Sequence, residues 1–127
     1  MTYLSTPVAY LVDSDFDSNG NLINPDIPKD KPVFIMIQAK FCGHCTHAKP
    51  EFQKVAEKNK DKYFFATIQG DGTEPGESEL AKKLSNFIPE FMGYPEYVVY
   101  YGGKFKEKYN GGRKEENLQQ YIDALKL

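Results

Sequence analysis

The sequence predicts an α/β fold, a central mixed β-sheet flanked by helices on both faces, and three observations predict it. Val33-Phe34-Ile35-Met36-Ile37 is a continuous apolar run, the mark of a strand covered on both sides. A helical pattern follows it, with Ala48, Phe52, Val55 and Ala56 on one face. Near the C-terminus two strand-like runs flank Gly102-Gly103, a tight-hairpin signal. Strand–helix alternation that closes on a hairpin is the pattern of an α/β sheet.

The elements follow in order. Val8 to Val12 is a short apolar run that reads as a first strand. Asp13 to Lys31 is polar and turn-rich, with Asn19-Gly20, Pro25 and Pro28. Whether Ser18 to Asp30 holds a short helix stays open, so the order is βαβαββα or βαβαβαββα. Pro32 opens the central strand, and the helix after it carries Lys58, Lys60 and Lys62 near its end, where cations suit the dipole. Tyr63 to Ile68 reads as another strand and Gly70 to Gly76 as an acidic loop. Leu80, Leu84 and Phe87 mark a further helix, capped near Ser78. Tyr97 to Tyr101 and Lys104 to Tyr109 form the hairpin, and Leu118, Tyr121, Ile122 and Leu125 a closing amphipathic helix.

Composition narrows the function classes. The 127 residues fit one domain spanning 1–127, and a hydrophobic share of 40% argues against wholesale disorder. A net charge of -2 offers no broad basic surface for nucleic acid and no polybasic run for a membrane. No apolar stretch approaches the roughly 20 residues that cross a bilayer. Neither nucleic acid nor membrane is expected as a partner, and a monomer is expected.

The chemistry concentrates in the two cysteines, Cys42 and Cys45. A disulfide closing so short a loop would remove little chain entropy, so the pair reads as kept for reactivity. Cys42 falls at a helix N-terminus, where unpaired N–H groups and the dipole stabilise a thiolate. It is the candidate nucleophile, and Cys45, about a turn further in, the resolving thiol. Gly43 and His44 lie between them, and a cationic His44 favours the Cys42 thiolate and makes the disulfide more oxidising. No cofactor is needed beyond a Cys42–Cys45 disulfide.

Two metal readings compete with this one. Cys42, His44, Cys45 and His47 are all ligand types, but four ligands within six residues of one helix start cannot converge tetrahedrally. His47 reads as a solvated residue. Asp15, Asp17 and Asn19 fit the opening of a calcium loop, with Asp26 at its closing position. Pro25 and Pro28 oppose an exiting helix, and the same Asp and Asn residues make ordinary turns. The Lys54–Lys62 run and the acidic Asp71–Glu79 stretch read as solvated faces.

Lys40-Phe41-Cys42-Gly43-His44-Cys45-Thr46-His47-Ala48-Lys49-Pro50-Glu51-Phe52 resembles the active-site segment of the catalytic domains of protein disulfide isomerase. Pro50 falls at that family's helix-kinking proline, and Gly93-Tyr94-Pro95 matches its cis-proline turn. Tyr109 to Arg113 matches the stretch carrying an arginine that can approach the site, and Val8 to Leu11 with Asp15 to Asp17 resembles its first strand and exit. The resemblance implies a thioredoxin-like fold and a thiol–disulfide oxidoreductase. Phe41, Tyr94 and Pro95 would bind substrate, and Arg113 would modulate the site. Partners would be protein thiols and disulfides, with an unidentified reductase or oxidase.

Three positions depart from that pattern. Phe41 replaces a tryptophan, Met36 a buried carboxylate that accepts a proton from the second cysteine, and Thr67 the lysine that pairs with it. Losing both charges avoids an unpaired one in the core. Proton transfer at Cys45 must then use water, a histidine or Arg113, and mixed disulfides should be released more slowly. The alternatives are a thioredoxin-type reductase, disfavoured by Gly43-His44, and a non-enzymatic metal- or partner-binding module of the same fold.

Met1 to Pro7 does not read as a secretory signal, nor the C-terminus as a retention signal, so a full-length chain is expected in the cytoplasm. An isomerase-like site sits uneasily there. A domain of a larger secreted protein, in the endoplasmic reticulum, or a virion enzyme of a large DNA virus would each reconcile the two.

Overall fold

A computed structural model describes residues 4–127; of the N-terminal stretch read above, Met1 to Tyr3 lie outside it. The apolar run becomes strand β2 (Val33–Gln38), with all six residues buried, at the centre of a five-stranded sheet. Strand β3 (Phe64–Gln69) pairs with it in parallel and β4 (Glu96–Tyr101) antiparallel. Strand β1 (Ala9–Tyr10) adds to β3 in parallel, and β5 (Lys104–Tyr109) adds to β4 antiparallel. The order β1-β3-β2-β4-β5 is therefore mixed, as the sequence predicts.

The alternation of side chains along the strands divides the core in two. Phe34, Met36, Phe65, Tyr97 and Val99 face helices α1 (Gly43–Asn59) and α4 (Glu115–Ala124), meeting Ala48, Phe52, Val55, Leu118 and Ile122. Val33, Ile35, Ile37, Ile68 and Val98 face the other way, toward Leu80 and Leu84 of α2 (Glu77–Ala81) and α3 (Leu84–Phe87). Helices thus cover both faces.

The structure corrects the element list at two places and settles the alternative left open at a third. The first strand is two residues long instead of five, although Leu11 N still donates to Thr67 O at 2.9 Å. No helix forms within 18–30. A 3-10 turn at Asp13–Asp15 is followed by a loop in which Asp17 Oδ1 accepts the N–H groups of Asn19 and Asn21, both at 2.9 Å. These side-chain bonds satisfy the backbone locally and compete with a helix. Phe16, Leu22 and Ile27 of this loop are buried against the second face and cover what a helix would otherwise cover. The expected single helix around Leu80 and Phe87 is two short ones, and Ser78 does not cap it. Gly76 is the N-cap of α2 with no side-chain bond, and Glu77 instead accepts from Glu74 N at 3.0 Å. Among the described residues no helix is long and apolar enough to cross a membrane.

Candidate active site

Strand β2 delivers the chain to the site. After Gln38 it turns through Ala39 to Phe41, and Cys42 becomes the N-cap of α1 with an extended backbone, φ -90° and ψ 111°. The Cys45 N–H donates to Cys42 Sγ at 3.1 Å. A sulfur at this position receives a backbone N–H and the positive end of a 17-residue helix, which suits negative charge on it. The thiols are not bridged. Cys42 is 9% exposed and Cys45 0%, so an incoming group meets Cys42 first.

The turn before Cys42 is held by Asp71, whose carboxylate accepts from Lys40 N at 2.9 Å and from Phe41 N at 3.4 Å. Partial burial opposes its charge, but these bonds and one from Gln69 outweigh that and hold the Asp71 carboxyl below its usual range. The acidic stretch is therefore not simply a solvated face, since its first member anchors the active-site turn. Only contacts distant in sequence give Asp71 this role, and nothing in the local pattern signals it.

Phe41, 74% exposed, stands beside Cys42 with its ring edge-on to Tyr94, centroids 5.7 Å apart. Tyr94 also packs on Phe91 and lies so close over Gly70 that a Cβ there would come within 2.1 Å of its hydroxyl. The Tyr94–Pro95 peptide is cis, as is Thr6–Pro7. His44, His47, Glu51, Arg113 and Lys114 line a groove of about 320 Å³ along the first turns of α1. Phe41 and Tyr94 thus meet beside Cys42, while Arg113 shares its groove with His44 and not with a cysteine.

Beneath the helix the surroundings of Cys45 are neutral at the two positions that depart from the isomerase pattern. Met36 and Thr67 are wholly buried, neighbours across β2 and β3, and Thr67 Oγ1 donates to Met36 O at 2.7 Å. Gln38 Nε2 donates to Thr67 Oγ1 at 3.3 Å, while Gln38 Oε1 and the Tyr97 hydroxyl are buried with no hydrogen-bond partner among the described residues. Burial first, then the Cys42 side chain, pushes the Cys45 thiol up to about 12. A backbone hydrogen bond from Ala39 pulls the other way, and so, less strongly, does Lys49, four positions past Cys45. Burial likewise pushes the Tyr97 phenol up, against the charge of Arg113.

Asp15, Asp17 and Asn24 of the loop with the calcium-like spacing use side-chain oxygens internally. Asp15 accepts from Val12 N at 2.8 Å and Asn24 Nδ2 at 2.7 Å, Asp17 holds the Asn19 turn, and Asn24 Oδ1 accepts from Asp26 N at 2.8 Å. Among the described residues no three or more His, Cys, Asp or Glu side chains gather as they would around a metal ion.

A C-x-x-C pair at the start of the helix that leaves the central strand of this sheet defines a redox domain of the thioredoxin superfamily. The family model described as Thioredoxin matches residues 8–124, and the chain belongs to that family. It is 46% identical to the thioredoxin-like protein 453L of Invertebrate iridescent virus 6, over 94% of this chain and 95% of that one. It is 29% identical to a protein named disulfide-isomerase A4 of Caenorhabditis elegans and 31% identical to the disulfide-isomerase C1F5.02 of Schizosaccharomyces pombe. Those matches cover 92% and 82% of this chain but only 16% and 20% of the isomerases. The J-Trx1 fragment of ERdj5 shares the fold, with a TM-score of 0.67 at 18% identity over 91% of this chain and 50% of that one.

Proposed function

We propose that the protein is a thiol–disulfide oxidoreductase that exchanges disulfides with protein substrates. The observation that carries this reading is the asymmetry of the pair: Cys42 at the helix start beside exposed Phe41, and Cys45 buried one turn behind it. Cys42 thiolate attacks a substrate disulfide, forming a mixed disulfide and releasing one substrate thiolate. Cys45 then loses its proton to solvent and attacks Cys42 Sγ. The Cys42–Cys45 bond forms, the second substrate thiolate leaves, and the substrate has gained the two electrons that the protein has lost. Run backwards, the same steps oxidise a dithiol.

Phe41 and Tyr94 form the apolar floor on which the substrate chain lies, and the backbone at Tyr94 and Pro95 pairs with it as an added strand. A cationic His44, next but one to Cys42, shifts the balance toward the dithiol, and Arg113, in the groove beside His44, modulates it. The names of the nematode and yeast relatives agree with a disulfide-isomerase-like role, and that of the viral relative with a thioredoxin-like one.

The redox potential separates these roles. Equilibration of the Cys42–Cys45 pair against glutathione buffers, with free thiols alkylated, is expected to give a value near about -180 mV, as for isomerases. A value near about -270 mV would reassign the protein to the reductases. A pair without reversible oxidation would overturn the reading altogether.

A further inference from the structure

The groove along the first turns of α1 has no occupant in the exchange reaction as written. His44, His47, Ala48 and Glu51 stand three and four positions apart, which puts them on one face of the helix. Arg113 and Lys114, just before α4, complete the lining. Ala48 is buried, whereas His44, His47, Arg113 and Lys114 are exposed.

The charges of this groove are unbalanced. Glu51 is the one acid among its lining residues, and both its oxygens are engaged. One accepts from Glu115 N at 2.7 Å, and the other lies 3.9 Å from Lys54 Nζ. Glu115, the nearest acid of α4, pairs with Lys58 further along α1. Among the described residues the side chains of His44, His47, Arg113 and Lys114 have no carboxylate partner. In a chain of net charge -2 this is a local concentration, not a generally basic surface.

Position ties the groove to the reaction. Cys42 is the N-cap of α1, and at about 1.5 Å per residue His44 lies about 3 Å and Glu51 about 14 Å further along the axis. A substrate chain bonded to Cys42 and extended at about 3.4 Å per residue spans that length within about four residues.

We propose that this groove is a specificity subsite for acidic substrates: it takes Asp or Glu side chains within about four residues of the substrate's reacting cysteine. Its occupant must bring a disulfide to Cys42, which makes it a protein chain, and a cationic lining without a spare acid selects carboxylates. Arg113 offers a planar fork that fits a carboxylate, and Lys114 a point charge. His44 and His47 can each donate a hydrogen bond whether neutral or charged. Exposed pairs of this kind are each worth up to about fivefold, and salt weakens them. The inference rests on the oxidoreductase reading and names the substrate class of that same site.

Three cysteine peptides, with Glu, Gln or Lys at the two positions on either side of the cysteine, are each capped as a mixed disulfide with thionitrobenzoate. Cys42 thiolate attacks the peptide sulfur, the Cys42–peptide bond forms, and the coloured thionitrobenzoate leaves as a thiolate, followed by stopped flow. Cys45 then loses its proton to solvent and attacks Cys42 Sγ, and the peptide leaves as a thiolate. Each first-step rate is divided by that of the same peptide with mercaptoethanol, a neutral thiol, which removes the effect of flanking charge on the disulfide itself. The Glu peptide is expected to react about fivefold faster than the Gln peptide, and the Lys peptide more slowly than either. The differences should collapse in about 1 M salt, where the screening length is about 3 Å. His47→Gln combined with Lys114→Ser should bring the preference for Glu over Gln to about twofold and leave the Gln peptide's rate unchanged. Serine is a favoured N-cap for α4 and glutamine a good helix former, so the fold is retained. Equal normalised rates for the Glu and Gln peptides overturn the inference, and so does a preference that survives high salt or the double variant. If that variant does not fold, the salt series decides alone. A peptide left bonded to Cys42 of the unmodified protein, seen as added mass, would instead remove the oxidoreductase reading.

Discussion

Asp71 holds the turn that presents Cys42 although it lies 31 positions from Lys40 in sequence. Its carboxylate accepts backbone N–H groups that the turn leaves unpaired, so Asp71→Ala should cost on the order of 1 kcal/mol. Because its folded-state pKa is depressed, this contribution is complete above the unfolded value near about 4 and fades as pH falls through the folded one. Urea unfolding at stepped pH should therefore show the gap between unmodified and Asp71→Ala protein closing in acid; a constant gap would deny the carboxylate its role. At this scale the sequence reveals residues whose chemistry is local. Cys42, Gly43, His44 and Cys45 declare themselves by spacing, whereas Asp71 looks like an ordinary surface charge until the fold shows what surrounds it.

Elements with a clean period are legible in the same sense. Strand β2, helix α1 and the closing helix stand where their apolar patterns place them, because packing and period agree. The β4–β5 hairpin is legible for a stereochemical reason: Gly102 and Gly103 both take left-handed backbone, φ 62° and 82°, as a two-residue hairpin turn requires. The two glycines are not equivalent. A Cβ on Gly102 meets open space, whereas one on Gly103 would come within 2.8 Å of Leu22 O, in the loop that donates Leu22 N to Gly103 O at 2.7 Å. Gly102→Ala should cost about 1 kcal/mol from backbone strain alone. Gly103→Ala adds a steric clash and should cost clearly more, a ranking that thermal unfolding of the two variants checks. The segment from Phe16 to Ile27 is illegible at this scale, since it covers the core through three isolated apolar residues with no period.

Across the whole molecule, the sheet order and the division into two cores join residues far apart in sequence, and the long-range resemblance reads them better than any local pattern does. Their consequence for the site is the burial of Cys45, and that burial makes a molecular property of one thiol. Its folded-state pKa, about 12, lies above the ordinary value of 9.0. Between those values the unfolded chain has released the proton and the folded one retains it, so the stabilisation is complete below about 9 and is lost as pH rises toward 12. Buried Tyr97 and Tyr100 add slopes of the same sign, but they act equally in a variant that keeps them. Reduced protein and reduced Cys45→Ser protein, unfolded in urea at pH values from neutral to about 10, isolate the thiol. The unmodified protein should lose stability more steeply above about pH 9 than the serine variant, whose hydroxyl does not titrate there. Parallel curves would mean that the Cys45 thiol is solvated in solution and is not held protonated by burial.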